Sequence, residues 1–306
     1  MTLTKSSPKN STSLYVTKSV REDGKKRSKV IEKLGASAEL GKKLDGRYPI
    51  KWAEEYVKKL TRLDKEGRRE IIVKYSPYLL INRGEQRLYS GGYLFLQRIY
   101  HDLGIDKICK KITDRHKFEF DIDSILSRLI YVRIILPASK IATYELSKKF
   151  FEQPNFEVQH IYRALEVIGV ETDFIQAELY KRSTKVAVNH RRWEIEECFR
   201  IMKHEFKARP VFIKRDERIK AHFMTCFISL LVYRILEKRL GEKYTCPQIV
   251  KELHDMSFLE APREGYIPAY TRTDFTDALH DAFGFRTDYQ ILTHSYMKNI
   301  FRLTKK

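Results

Sequence analysis

Cysteine is scarce in this chain. Cys109, Cys198, Cys226 and Cys246 lie far apart, and none belongs to a C-x-x-C pair. A zinc ribbon, which needs such pairs, is therefore excluded, and the wide spacing suits reduced thiols in a cytoplasm. Long apolar runs are also missing. The greasiest stretch, Met224 to Tyr233, covers about ten residues, whereas a spanning helix needs about twenty. It reads as a buried core helix, and no membrane partner is expected. The N-terminus, MTLTKSSPKNSTS, has no apolar signal core. No repeat of fixed period and no low-complexity tract is visible. Acidic residues run short as well: 40 Asp and Glu stand against 59 Lys and Arg, a formal net charge of +19.

What is present narrows the class. Hydrophobic residues make up 42% of 306 residues, enough to bury sizeable cores, so a wholly disordered chain is excluded. The basic excess calls for an anionic partner, and nucleic acid is the usual one, because Lys and Arg displace counterions from phosphates. A basic housekeeping protein is the plainer reading.

Along the chain, Leu14-Tyr15-Val16 and Lys29-Val30-Ile31 are β-prone, with the hairpin signal Asp23-Gly24 between them. Arg21, Lys25, Lys26 and Arg27 flank that turn. Residues 1–50 hold 12 Lys and Arg against 5 Asp and Glu, so the tip is a candidate DNA contact, with a solvated turn as the alternative. A charged amphipathic helix is expected from about Ile50 to Glu66, and a further strand within Glu70 to Ile81. From Gly91 to about Val186 the pattern is helical, broken at Pro137-Ala138-Ser139. Two more helices fit Arg192 to Lys207 and Asp216 to Leu240, separated by Pro210. Phe258-Leu259 and Tyr266-Ile267 suggest short strands. Asp274 to Phe283 suggests a helix capped by Thr273.

The stretch that carries chemistry is Arg192-Trp-Glu-Ile-Glu-Glu-Cys-Phe-Arg-Ile-Met-Lys203. At about 100° per residue, Glu196 lies roughly 40° and Lys203 roughly 20° around the helix from Arg192. These three side chains form one narrow stripe. It borders an expected apolar stripe of Ile195, Phe199, Met202 and Phe206. An ordinary surface row of paired charges has the same spacing.

The segment resembles the signature of DDE transposases of the IS-four-like class of bacterial insertion sequences, Y-x2-R-x3-E-x6-K. Arg192, Glu196 and Lys203 match it in type and spacing, while Asn189 stands at the tyrosine position. The flanks Ala208-Arg209-Pro210-Val211 and Ile219 through His222-Phe223 also match, as do VIEKLG and DFIQAELYK upstream. The resemblance implies a ribonuclease-H-like core in which two aspartates and a glutamate hold two divalent metals for phosphodiester chemistry. Mg²⁺ or Mn²⁺ suits such oxygen ligands. By carry-over Glu196 is the third carboxylate and metal ligand, and Arg192 and Lys203 contact phosphate.

The first two aspartates are not found. Asp173 and Asp123 read as helix-start residues. Asp121, in the faintly strand-like Phe118 to Asp123, is the remaining candidate. About fifteen residues separate Lys181 from Glu196, too few for a multi-stranded sheet. VAVNHR, residues 186–191, therefore reads as the junction of an internal deletion, with the metal ions not bound productively.

The expected fold is mainly α with a small N-terminal β-hairpin, an α+β remnant of a ribonuclease-H-like transposase core. Three segments are expected: a basic hairpin region (1–48), a mostly helical DNA-binding or dimerisation region (49–186), and the C-terminal part of the catalytic domain with a helical tail (187–306). The expected function is transposition through binding of double-stranded transposon ends, catalytically incomplete, in a cytoplasmic, nucleoid-associated setting. The partners implied are DNA, a second copy, or a full-length transposase. Two alternatives stay open: a non-catalytic DNA-binding module or inhibitor of full-length transposase, and an unrelated helical interaction protein.

Overall fold

The computed structural model describes residues 2–6, 12–22, 25–37, 40, 48–67, 71–73, 75–183, 192–209, 211 and 213–306. The chain divides into two compact units, Met1–Lys74 and Tyr75–Lys306.

In the first unit, β1 (Thr2–Ser6), β2 (Ser13–Glu22) and β3 (Lys25–Ala36) form an antiparallel sheet in that order. The expected hairpin is thus β2–β3, with a third strand added at the N-terminus. That strand escapes a hydropathy reading because Leu3 is its one apolar residue; main-chain pairing to β2 holds the rest. The register slips between Leu14 and Tyr15, where Leu14 faces Gly35 and Tyr15 faces Lys33. Gly35 has φ +110°, a conformation open to glycine and costly for other residues. Helix α1 (Pro49–Gly67) packs on β1 and β2. Its buried Ala53 and Val57 recur at i and i+4, and Leu14, Leu40 and Ala53 form the small core with Leu3, Leu34 and Trp52 packed against it.

The strand expected within Glu70 to Ile81 is absent among the described residues 71–73 and 75–81. The β-prone side chains there find no partner strand, and Tyr78 and Leu80 are more than nine-tenths exposed.

The second unit is mainly helical. In order come β4 (Leu88–Ser90), α2 (Tyr93–Asp102), α3 (Ile105–Thr113), α4 (Ile122–Ile135), α5 (Lys140–Ser147), α6 (Val158–Val170), α7 (Thr172–Ser183), α8 (Arg192–His204), α9 (Asp216–Arg239) and α10 (Cys246–Asp255). Then follow β5 (Ser257–Ala261), β6 (Gly265–Pro268), α11 (Asp274–Phe283), β7 (Leu292–Thr293) and α12 (His294–Thr304).

Helix α9 is the axis of this unit and packs against α6, α4, α2 and α8. Among the described helices it alone is long and apolar enough to cross a membrane, and 67% of its apolar window is buried inside the unit, as the core-helix reading of Met224 to Tyr233 requires. The α6–α9 crossing is tight at Gly169, where a Cβ would stand 2.0 Å from the Glu217 carbonyl oxygen. The second sheet is antiparallel, ordered β4-β5-β6-β7. Leu88 faces Leu259, so the C-terminal strands close onto the start of the unit. Arg98 donates to the Leu303 carbonyl at 2.6 Å, and Thr304 to Gln97 at 2.8 Å. The expected strands at 258–259 and 266–267 are present. So is the Thr273 cap, whose hydroxyl accepts from the Thr276 amide. Both sheets are small and antiparallel, and the molecule is mainly helical.

Candidate nucleic-acid interface

The cations predicted at the hairpin tip fall on the strand ends. Arg21 is on β2 and Lys25, Lys26 and Arg27 are on β3, with Arg21 opposite Lys26 and Glu22 opposite Lys25. Their side chains, and the turn residues Asp23 and Gly24, lie outside the described residues. Nearer the base of the hairpin, Lys18 is opposite Lys29, and Ser28 through Lys33 are all exposed.

Helix α8 carries the second set. The side chains of Arg192 and Glu196 also lie outside the described residues, while Lys203 is exposed. The apolar phase of the helix differs from expectation. Phe199 is 67% exposed, whereas Ile201 and Phe206 are fully buried. Burial has turned the face bearing Glu197, Cys198 and Ile201 inward. Arg234 of α9 donates to Glu197 at 3.0 Å, and Phe206 packs edge-on against Tyr233 with centroids 5.9 Å apart. Lys203 lies about 160° around the helix from Ile201, which accounts for its exposure. On α9, Phe223 and Phe227 are also partly exposed, at 36% and 42%.

A buried group of basic side chains holds the turn that follows α8. Arg133 of α4 donates from Nη1 to the Phe206 carbonyl at 3.1 Å, and His222 donates from Nε2 to the Ala208 carbonyl at 3.0 Å. Lys140, at the first turn of α5, and Cys226 belong to the same cluster. Lys140 Nζ, Arg133 Nε and His222 Nδ1 are buried without partners. Burial, and then the Arg133 charge, pull the Lys140 amine down to about 7; burial, and then Lys140, pull His222 down to about 4. Sequence reasoning missed this cluster. Its members are separated along the chain by helices, and only the tertiary packing brings them together.

The three aspartates each have another occupation. Asp121 is the N-cap of α4, accepting from the Ser124 amide at 3.0 Å and from Asn155 at 3.1 Å. The strand-like alternation before it is instead irregular chain, with Phe118 stacked on Phe120 at 4.5 Å. Asp123 lies in the first turn of α4 and accepts from the Tyr100 hydroxyl at 2.6 Å. Burial raises its pKa. Asp173 is in the first turn of α7 and exposed, where its charge complements the helix dipole.

One group among the described residues could by distance hold a metal: Asp277, His280 and Asp288, with donor atoms within 4.8 Å of one another. It fits poorly. Arg286 is bonded to both Asp277 and Asp288, and Arg272 donates to Asp277 at 2.9 Å. Those hydrogen bonds hold Asp277 down at about 2. His280 Nε2 accepts from the Thr287 amide at 3.1 Å, leaving a protonated Nδ1 3.6 Å from Asp288. Two guanidinium charges already neutralise the carboxylates, so the cluster is an ion-pair network. A groove of about 720 Å³ in the second unit, flanked by Lys149, Lys251 and His254 but also by Glu252 and Asp255, presents mixed charge and no clear anion cradle.

Comparison with known proteins gives one family. No curated protein and no solved structure matches the chain significantly. The model of the family described as "Transposase DDE domain" matches residues 11–232, more than two thirds of the chain and a span that includes both segments of resemblance. The chain belongs to the transposase DDE domain family, whose members act in DNA transposition.

Proposed function

We propose that this transposase-family protein works in transposition by binding the duplex ends of its element, as an IS-four-like member shortened by an internal deletion. The carrying observation is the basic N-terminal sheet, whose register stacks Lys18 against Lys29 and Arg21 against Lys26. Like charges placed directly opposite one another destabilise a ladder, and a polyanion offsets that cost. In this reading residues 1–48 contact DNA, 49–186 add binding or dimer contacts, and 187–306 are the C-terminal part of a ribonuclease-H-like domain. The protein works in the cytoplasm beside the nucleoid.

The isolated chain does not cut DNA. Glu196 supplies one carboxylate, with Arg192 and Lys203 as phosphate contacts, but Asp121, Asp123 and Asp173 are otherwise engaged or exposed at a helix start. Two metals at the separation this chemistry needs require carboxylates that bridge or flank both ions. The partly exposed Phe199, Phe223 and Phe227 support a deletion, since they are apolar side chains that a lost sheet would have covered. Occupying ends without cutting them makes the protein an inhibitor of full-length transposase, by competition or by pairing.

The test measures binding to duplex DNA across a salt series, with nicking assayed in Mg²⁺ or Mn²⁺. Affinity should fall steeply with salt and drop when Arg21, Lys25, Lys26 and Arg27 are all replaced by Ala. Salt-independent binding, or an unchanged quadruple variant, overturns the DNA assignment. Cleavage that disappears in Glu196→Gln overturns the catalytic one.

A further inference from the structure

Residues 75–87 form a loop closed at its stem, where the Arg87 guanidinium stands over the Tyr75 ring, 5.8 Å from its centroid. Two turns shape the loop. In the first, the Leu79 amide donates to the Ser76 carbonyl at 3.5 Å. In the second, the Glu85 amide donates to the Asn82 carbonyl at 3.1 Å, the Asn82 side chain donates to the Glu85 carboxylate at 2.8 Å, and Gly84 has φ +77°. The stretch joining the turns is apolar. Tyr78, Leu79, Leu80 and Ile81 are 92%, 79%, 94% and 62% exposed. A single surface leucine is ordinary, but four adjacent large apolar side chains in water mark a surface that a partner covers.

The second unit also holds a groove of matching character. It encloses about 720 Å³, and Leu88, Val132, Ile135, Leu136, Leu146 and Phe150 line it. Leu88 on β4 and Leu136 at the end of α4 are 52% and 41% exposed, so the groove offers apolar surface to a guest from two elements. Strand β4 is the edge of its sheet, and an edge accepts an extended segment alongside. None of residues 78–81 lines this groove. The stem accounts for that: Arg87 adjoins Leu88, so the loop starts at the groove's own wall and its tip has no free chain with which to turn back.

A second copy lacks this constraint. Two-fold symmetry lets the loop of each copy enter the groove of the other, which leaves no loop and no groove uncovered. Each tip presents on the order of 500 Å² at the size of large apolar side chains. Two tips and the walls they cover come to roughly 1,600 Å², the size of a standard stable interface.

We infer that residues 78–81 of each chain dock in the Leu88–Leu136 groove of a second copy, so that the protein is a two-fold dimer by reciprocal loop exchange. This gives a surface to the pairing proposed above and rests on that pairing, independently of DNA binding.

Sedimentation equilibrium on the full chain at about 1–100 µM reads the association. The natural chain should be a dimer. Leu79→Ser with Leu80→Ser removes the guest, and Leu88→Lys with Leu136→Lys places charge in the groove. All four positions are exposed, and thermal melts check that the variants fold. Each double variant alone should self-associate at least about tenfold more weakly. An equimolar mixture of the two should regain a heterodimer, because one intact loop then meets one intact groove. A natural chain that stays monomeric at about 100 µM overturns the inference, as do variants that dimerise like the natural chain, or a mixture without heterodimer. A monomer whose melting temperature falls in the loop variant places the loop in its own groove and overturns the inference as well. Duplex retention at low salt is measured on the same samples. Its absence from an intact dimer sinks the DNA-binding reading alone, and its presence on a natural chain that is monomeric sinks the loop exchange alone.

Discussion

The Tyr100 hydroxyl donates a 2.6 Å hydrogen bond to Asp123 in the second unit, where Tyr100 is buried and Asp123 half-buried. That bond is what makes a carboxylate tolerable there. Asp123 is a structural acid whose pKa is raised mainly by burial. Tyr100→Phe should destabilise the fold by about 1–3 kcal/mol, because it removes a hydrogen bond to a half-buried carboxylate. Asp123→Asn keeps an acceptor and removes the charge, so it should be neutral or stabilising at pH 7. Chemical denaturation at pH 7 reads both. A large loss in Asp123→Asn would mean the charge itself is needed.

Lys140 has no partner for its buried amine, and Arg133 adds a like charge. Its folded pKa of about 7 lies well below the 10.5 of a free lysine. Between those values the unfolded state holds more protons, so stability rises with pH by up to about 1.4 kcal/mol per unit and levels off below about 7. Lys140→Met should raise the melting temperature at pH 7 by several degrees, at roughly 2–4 °C per kcal/mol, with the gain shrinking towards pH 10. A variant that melts lower at pH 7 would show that the amine has a partner.

Gly169→Ala tests the α6–α9 crossing. Alanine is favoured over glycine inside a helix by about 0.5–1 kcal/mol. Here the added methyl would meet the Glu217 carbonyl oxygen at 2.0 Å, and backbone cannot turn aside as a side chain can. Overpacking of this kind costs about 1–3 kcal/mol or more. Urea unfolding should show net destabilisation; a stabilised variant would mean the helices separate freely.

For Asp277, His280 and Asp288, Arg286 stands where a cation would go. Zn²⁺, Mn²⁺ or a chelator should leave the melting curve unchanged for this cluster, and Arg286→Met should destabilise the protein. A metal that raises the melting temperature of the natural chain but not of Asp288→Asn would reverse that assignment.

Local signals carried far in this sequence. The apolar run from Met224 to Tyr233 became the core of α9, Thr273 became a cap, and the β-prone stretches around Asp23-Gly24 became paired strands. Each depends on residues within a few positions of one another, so period and capping chemistry suffice. The family membership was legible for the same reason, because the resemblance rests on short local stretches. Tertiary structure decided the rest. It chose which face of α8 to bury: Ile201 turned inward to meet α9 while Phe199 stayed exposed, because a helix with apolar residues on several sides takes its phase from its neighbour. It made Asp121 a cap and left the described residues 71–73 and 75–81 without strand, because a β-prone segment forms a ladder only where another strand meets it. It also gathered Arg133, Lys140 and His222 around the turn after α8. No sequence pattern encodes that meeting, since burial and charge at a point depend on residues that helix packing alone brings together.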